Sequence, residues 1–281
     1  MQTSPKIYQD LRRIGMVDDT KLVLSETALL LAKSERPRTD TTVYERHLIN
    51  LTEKVAAYAG KQANCKISGL PIRTEALQQI IAKRFGYGGS DDSYENFECA
   101  NLMRVIDRRE GLPTLLGIIY IHVARALGWT IAGLDFPPRF LIRLEYFGRR
   151  EILDPFDGGR VIKPFDLRAL YKAVSGPQVE ITPEHTKPMT NRAIILRSQR
   201  NSIVLHLRSN DLEQALKIVN TLLLIAPKNP ALWREAGILN ARMDRFEEAI
   251  VALEKFLSFS EADVTRFQTS ILLQELREQL N

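Results

Sequence analysis

Cysteine and histidine are scarce in this chain, and their scarcity excludes several kinds of chemistry. Two cysteines, Cys65 and Cys99, stand in 281 residues with no CxxC pair. That is too few for a disulfide scaffold or a four-cysteine zinc site, and reduced thiols in a cytosolic protein are the simpler reading. The four histidines, His47, His122, His185 and His206, are scattered. With no HExxH motif or paired-cysteine spacing, neither a metal nor another cofactor is expected. Long apolar runs are missing as well. The most apolar helical stretch, residues 115–127, is interrupted by His122 and Arg125 and falls short of the roughly 20 residues a bilayer needs. The opening MQTSPKIYQDLRRIG lacks the apolar core of a secretion signal, so no membrane association and a cytoplasmic location are expected. Neither sign of charge dominates: 39 basic against 34 acidic residues leave a net +5, a mild excess that points weakly to acidic partners and is no proof of nucleic-acid binding, which stays a third and less favoured reading.

What is present is a change of periodicity along the chain. Tyr44, Leu48, Leu51, Val55 and Tyr58 step by four and three and share a helical face. Leu22 to Lys33 is apolar on one side, and Pro37 follows it. Thr74 is expected to cap a third helix carrying Leu77, Ile80, Ile81 and Phe85. FGYGGSDDSYE, residues 85–95, reads as an exposed loop. Its Gly86, Gly88 and Gly89 lack the lysine and serine or threonine of a phosphate-binding loop. Leu102, Val105 and Ile106 predict a helix ending near Gly111. Pro113 then opens another, with Leu115, Ile118, Ile119, Val123 and Leu127 inward and Gly128 as its stop. TIAGLDF, RFLIRLEY and RREIL are β-rich, and the last two flank Phe147-Gly148 as an antiparallel hairpin. LDPFDGG, residues 153–159, closes the sheet. Helices followed by an antiparallel sheet make an α+β arrangement.

Residues 163–190 hold Pro164, Pro177, Pro183 and Pro188 and read as a linker, after which the chain is helical to its end. LEQAL at 212–216 recurs as FEEAI at 246–250, and both Ala215/Ala249 and Leu205/Leu239 are 34 apart. That helix–turn–helix period is the tetratricopeptide signature. Trp233, Gly237, Ala249 and Leu253 fit the second unit, whereas the first has Gln199 in the tryptophan position. Val264, Phe267, Ile271, Leu276 and Leu280 are expected to form a final helix covering the last repeat. Two repeats are fewer than the usual three, so the module is expected to draw support from the N-terminal domain.

GLPTLLGIIYIHVARALGW, FPPRFLIRL and ILDPFDGG, together with NLMRVIDRREGLP, resemble the bacterial SirB family. In that family a papain/transglutaminase-like α+β domain, with helices packed on a small antiparallel sheet, precedes an all-α tetratricopeptide module. The resemblance implies a transglutaminase-like domain over 1–165, a linker over 166–190, and repeats with a capping helix over 191–281. In active transglutaminase-like enzymes a cysteine opens the buried helix, and a histidine and an aspartate follow on adjacent strands. The helix dipole stabilises the thiolate, the imidazole takes its proton and the carboxylate orients the imidazole. Here the helix opens with Pro113, Thr114 and Leu115, and Arg139 in FPPRF stands where relatives carry histidine; the acid remains as Asp154 in LDPF. Arginine stays protonated and cannot act as the base, so two of three roles are vacant and no catalysis is expected.

Arg139 and Asp154 are expected to share a charge-assisted hydrogen bond. It is either a tie within the hairpin or part of a small pocket for a carboxylate or peptide. Cys99 and His122 are the candidates for a displaced dyad, with a core histidine the simpler reading of His122. Asp107, Arg108, Arg109 and Glu110 at a helix end either cap that helix or bind. Arg192, Arg197, Arg200 and Arg208 read as a solvated basic face. Arg108, Arg109 and the repeat's Trp233 complete the candidate binding residues. The expected partner is a protein or peptide, and the alternative is a cysteine-peptidase or transglutaminase-type enzyme with displaced catalytic residues.

Overall fold

The structure is a computed structural model that describes residues 5–137, 139–261 and 263–280. Met1 to Ser4, part of the stretch read for a leader, lie outside the described residues. In chain order the α-helices are α1 (Pro5–Met16), α2 (Leu24–Glu35), α3 (Thr42–Ala59), α4 (Gly69–Leu77), α5 (Leu102–Arg108) and α6 (Pro113–Ala126). After the strands β1 (Thr130–Leu134), β2 (Leu141–Tyr146), β3 (Arg149–Asp154) and β4 (Arg160–Ile162) come α7 (Pro164–Ser175), α8 (Asn191–Arg208), α9 (Leu212–Ile225), α10 (Pro230–Ala241), α11 (Phe246–Phe259) and α12 (Val264–Leu280). They form two compact units, Asp19–Ser198 and Met1–Asp18 together with Gln199–Asn281.

In the first unit α6 is the central helix. Pro113 fits its first turn, where no backbone N–H is needed. Leu115, Leu116, Ile118, Ile119, Tyr120 and Ile121 are all buried, so the helix is enclosed on every side. It stops at Gly128, whose φ of +70° lets the chain reverse. The sheet packed on α6 is antiparallel throughout, in the order β1-β2-β3-β4. Tyr146 pairs with Arg149 across a two-residue turn, Phe147-Gly148, with positive φ at both positions (47° and 74°), the backbone of a type I′ hairpin.

Three local expectations change. Thr74 lies within α4, which starts at Gly69, and its buried hydroxyl donates to Glu151 Oε2 on β3; it ties helix to sheet and caps nothing. The loop over 85–95 is docked, with Tyr87 buried and the Gly89 N–H donating to the Phe156 carbonyl at 3.0 Å. Within the stretch read as a linker, Pro164 starts α7, whose Leu167 and Tyr171 are buried against Leu134, Phe136, Leu141 and Ile162. Proline at a helix start is favourable, so its frequency alone did not mark a linker. Farther on, the Met189 N–H donates to the Gly133 carbonyl at 2.8 Å.

In the second unit the 34-residue period is realised as α9 and α11, each 14 residues long. Gly237 on α10 lets the Leu253 side chain of α11 approach so closely that a Cβ there would lie 2.4 Å from Leu253 Cδ2. The Trp233 indole N–H donates to the Pro227 carbonyl at 2.8 Å, fixing the turn between α9 and α10. The sequence did not suggest α1 here. It packs on α9, burying Ile7 and Leu11, and Gly15 lies against the Leu224 carbonyl. The inward residues of α12 are Leu273 and Leu276, set against Ala249 and Leu253. Val264, Phe267 and Ile271, expected inward, are exposed instead, and the side chain of Leu280 lies outside the described residues.

Candidate functional site

The residues that resemblance assigns to the catalytic positions sit around the N-terminus of α6 and the facing strands. Thr114 is buried in the first turn of α6. One turn on, Gly117 permits close approach of Phe140, since a Cβ at Gly117 would lie 2.3 Å from Phe140 Cε1. Arg139 precedes Phe140 at the entry to β2, and its Nη1 donates to Asp154 Oδ2 at 3.0 Å. Asp154, the last residue of β3, is 0% exposed and its Oδ1 accepts the Phe156 N–H at 2.9 Å. Burial works against the Arg139 charge, but the hydrogen bond and charge of Asp154 outweigh it and raise the guanidinium pKa.

Other side chains enclose this pair. The Arg139 guanidinium lies 5.3 Å from the centre of the Phe156 ring, and Tyr94 packs on that ring with centroids 5.5 Å apart. Phe156 also meets Gly89, where a Cβ would lie 2.0 Å from the ring, so packing requires glycine at this position. Arg197, from the start of α8, pairs with Asp135 and faces the Phe140 ring. Tyr94 keeps its proton chiefly because it is buried, with Arg139 and Arg197 acting in the opposite direction. Tyr120 on α6 is fully buried and its hydroxyl has no hydrogen-bond partner among the described residues. Burial, and then the charge of Asp154, hold that phenol protonated. Tyr94, Phe156 and Tyr120 were not picked out from the sequence. Only the adjacency of Phe156 to Asp154 in LDPF could have suggested one of them.

The displaced-dyad residues are not brought together. Cys99 is fully buried, and burial raises its thiol pKa; the charges acting on it come from Glu110, Arg108 and Glu98, and no imidazole is among them. His122 Nδ1 is 2.9 Å from Ser25 Oγ, and burial favours its neutral form. The exposed thiol is Cys65, pulled down to about 7 by hydrogen bonds from the Ser68 hydroxyl and the Ser68 and Ile67 backbone.

The charged run at the C-terminal end of α5 is paired with side chains from other segments. Arg108 bonds Glu98, and Asp107 Oδ2 accepts from Arg36 at 3.1 Å and Tyr44 at 3.2 Å. Arg109, in the left-handed conformation (φ 64°), donates to Tyr87 Oη and lies 2.9 Å from His47 Nε2. Glu110 accepts from Ser93 at 2.7 Å and Ser90 at 2.9 Å, which lowers its pKa. Among the described residues no group of three or more His, Cys, Asp or Glu could hold a metal ion.

A profile of the transglutaminase-like superfamily matches residues 42–200, and a tetratricopeptide-repeat profile matches 204–281. A UPF0162 protein of Xylella fastidiosa (strain Temecula1) is 29% identical over 247 residues, 87% of this chain and 86% of its own length. A UPF0162 protein of Vibrio cholerae is 26% identical over 85% of this chain and 87% of its own. Protein SirB1 of Salmonella typhimurium is 25% identical over 68% and 72%.

Proposed function

Since the chain belongs to the transglutaminase-like superfamily and carries C-terminal tetratricopeptide repeats, we propose that it is a non-catalytic interaction or regulatory protein of the bacterial cytoplasm. The observation that carries this reading is the Arg139–Asp154 bond. The acid that would orient an imidazole is fully buried and engaged by a side chain that cannot accept a proton. Thr114 has a hydroxyl where a thiolate would be needed. Cys99 and His122, the candidates for a displaced dyad, have different neighbours, Glu110, Arg108 and Glu98 acting on the thiol and Ser25 bonding the imidazole, which supports the same reading. The repeats supply stacked helices of the kind used to present a surface to protein or peptide segments.

Two measurements test this. The first is thiol labelling at pH 7 with the modified site mapped. Cys65, exposed and with its thiol pKa lowered to about 7, is expected to label readily, whereas fast labelling of Cys99 that depends on His122 would restore the enzyme reading. The second is affinity capture from cell extract with the full chain and with the Arg139→Ala, Asp154→Ala double variant, its fold checked by melting. Loss of a specific partner in the variant assigns the interaction to the vestigial site. Retention assigns it elsewhere on the chain, and the complete absence of any saturable partner overturns the proposal.

A further inference from the structure

Away from the vestigial site, one corner of the transglutaminase-like unit combines protruding apolar side chains with unpaired positive charge. Phe147, at the tip of the β2–β3 hairpin, is 62% exposed, and Ile67, in the segment before α4, is 79% exposed. The two protrusions are joined into one surface. Tyr146 Oη donates to the Asn64 carbonyl at 2.9 Å, Arg149 Nη1 donates to the Ile67 carbonyl at 2.7 Å, and the Lys66 ammonium lies 5.7 Å from the Phe147 ring centre. Beneath them the buried Arg73 stacks 3.6 Å from the Tyr146 ring centre and donates to the Ala63 carbonyl at 2.9 Å, which holds both segments in place. Lys61, Lys66 and Arg149 are exposed, and none has a carboxylate partner among the described residues.

We infer that this corner docks on the surface of an anionic lipid bilayer, with Phe147 and Ile67 in the interfacial layer and Lys61, Lys66 and Arg149 against lipid phosphates. Exposed apolar side chains with Lys66 beside one and Arg149 tied to the other match the depth profile of such a surface, where headgroup charge lies outside and hydrocarbon inside. An acidic peptide would instead need a groove or an unpaired sheet edge, and the hairpin tip offers its backbone to neither because β2 and β3 pair with each other up to the turn. A nucleic-acid strand would need a groove with successive stacking platforms, and of the two protruding apolar groups here only Phe147 is a ring. The attachment is peripheral: no described helix is long and apolar enough to cross a membrane.

The test is co-sedimentation of the full chain with phosphatidylcholine vesicles, with and without about a quarter phosphatidylglycerol. Binding is expected only to the anionic vesicles and is expected to weaken with salt. Phe147→Ser with Ile67→Ser lowers the partition by about tenfold, and Lys61→Glu with Lys66→Glu lowers it at least as far, both with unchanged melting because these side chains are exposed. Phe267→Ser, exposed in the other unit, leaves binding intact. A polarity-sensitive fluorophore on Cys65, which precedes Lys66 and is exposed, shifts to the blue on the same vesicles. Absence of binding to anionic vesicles overturns the inference. So does binding that survives the loss of Phe147 and Ile67.

Discussion

The two compact units hold themselves together by different kinds of contact. In the repeat unit small residues set the helix spacing: Ala215 and Ala249 are fully buried, Gly237 admits Leu253, and Gly15 admits the Leu224 carbonyl. In the transglutaminase-like unit buried polar side chains are matched by partly buried partners, among them Asp154 with Arg139, Thr74 with Glu151 and Ser25 with His122. A spacing rule is satisfied by any residue small enough. A buried polar pair is satisfied only if both members suit each other, because the one left behind pays for its own desolvation. Arginine at position 139 is therefore intelligible only together with the acid at 154.

The sharpest way to break this contrast is Arg139→Ala. It leaves the Asp154 carboxylate buried with no cation, and stability measured by denaturant titration is expected to fall by about 3 kcal/mol, as when one partner of a buried pair is removed. A loss well under about 1 kcal/mol would mean the pair behaves like a surface ion pair.

In the repeat unit the corresponding probe is Gly15→Ala. Helix propensity alone predicts a gain of about 0.5–1 kcal/mol. The new Cβ would, however, lie 2.1 Å from the Leu224 carbonyl oxygen, so a loss of about 1–3 kcal/mol is expected. Amide exchange should quicken within residues 5–16, and the sign of the change decides whether α1 packs as described.

The smallest effects are in pH dependence, and they have opposite signs in the two units. Burial, and then the neighbouring Arg109, push His47 down to about 4 from 6.5. The transglutaminase-like unit is therefore expected to keep its full stability above pH 6.5 and lose it as pH falls toward 4, where the unfolded chain takes up the proton first. Burial raises the Glu235 carboxyl above 4.5, with Arg200 opposing. In the repeat unit, stability present below pH 4.5 is therefore lost as pH rises through the elevated value. His47→Gln should flatten the first trend and Glu235→Gln the second, each read from exchange rates local to its own unit.

What could be read from the sequence follows the same division. The 34-residue period located α9 and α11 because the recurring alanines stand where helices must touch. The inward face of α12 was misread because Val264, Phe267 and Ile271 satisfy helical periodicity equally well while facing solvent. Periodicity identifies an apolar face, and it does not say whether anything covers it. The β2–β3 hairpin was legible from Phe147-Gly148, and the Arg139–Asp154 bond from knowing which strands face each other. The polar and aromatic neighbours of that bond were not, since Tyr94, Tyr120 and Phe156 converge from three separate segments. Nor was the docking of α7, because Pro164 at its start and the three prolines that follow the helix resembled those of a spacer.

The grouping of α1 with α9 also has a consequence for the order of synthesis. The ribosome completes α1 long before α9, on which it packs and which begins only at Leu212. At about 5–20 residues per second, roughly 10–40 s pass before the two can meet. Throughout that interval Ile7 and Leu11, buried in the finished protein, remain uncovered on the nascent chain while the whole intervening unit is made. Closing so long a loop adds little entropy cost over closing a shorter one. The burden of this topology is thus one of timing, and it falls on whatever shields a short amphipathic helix until its partner emerges.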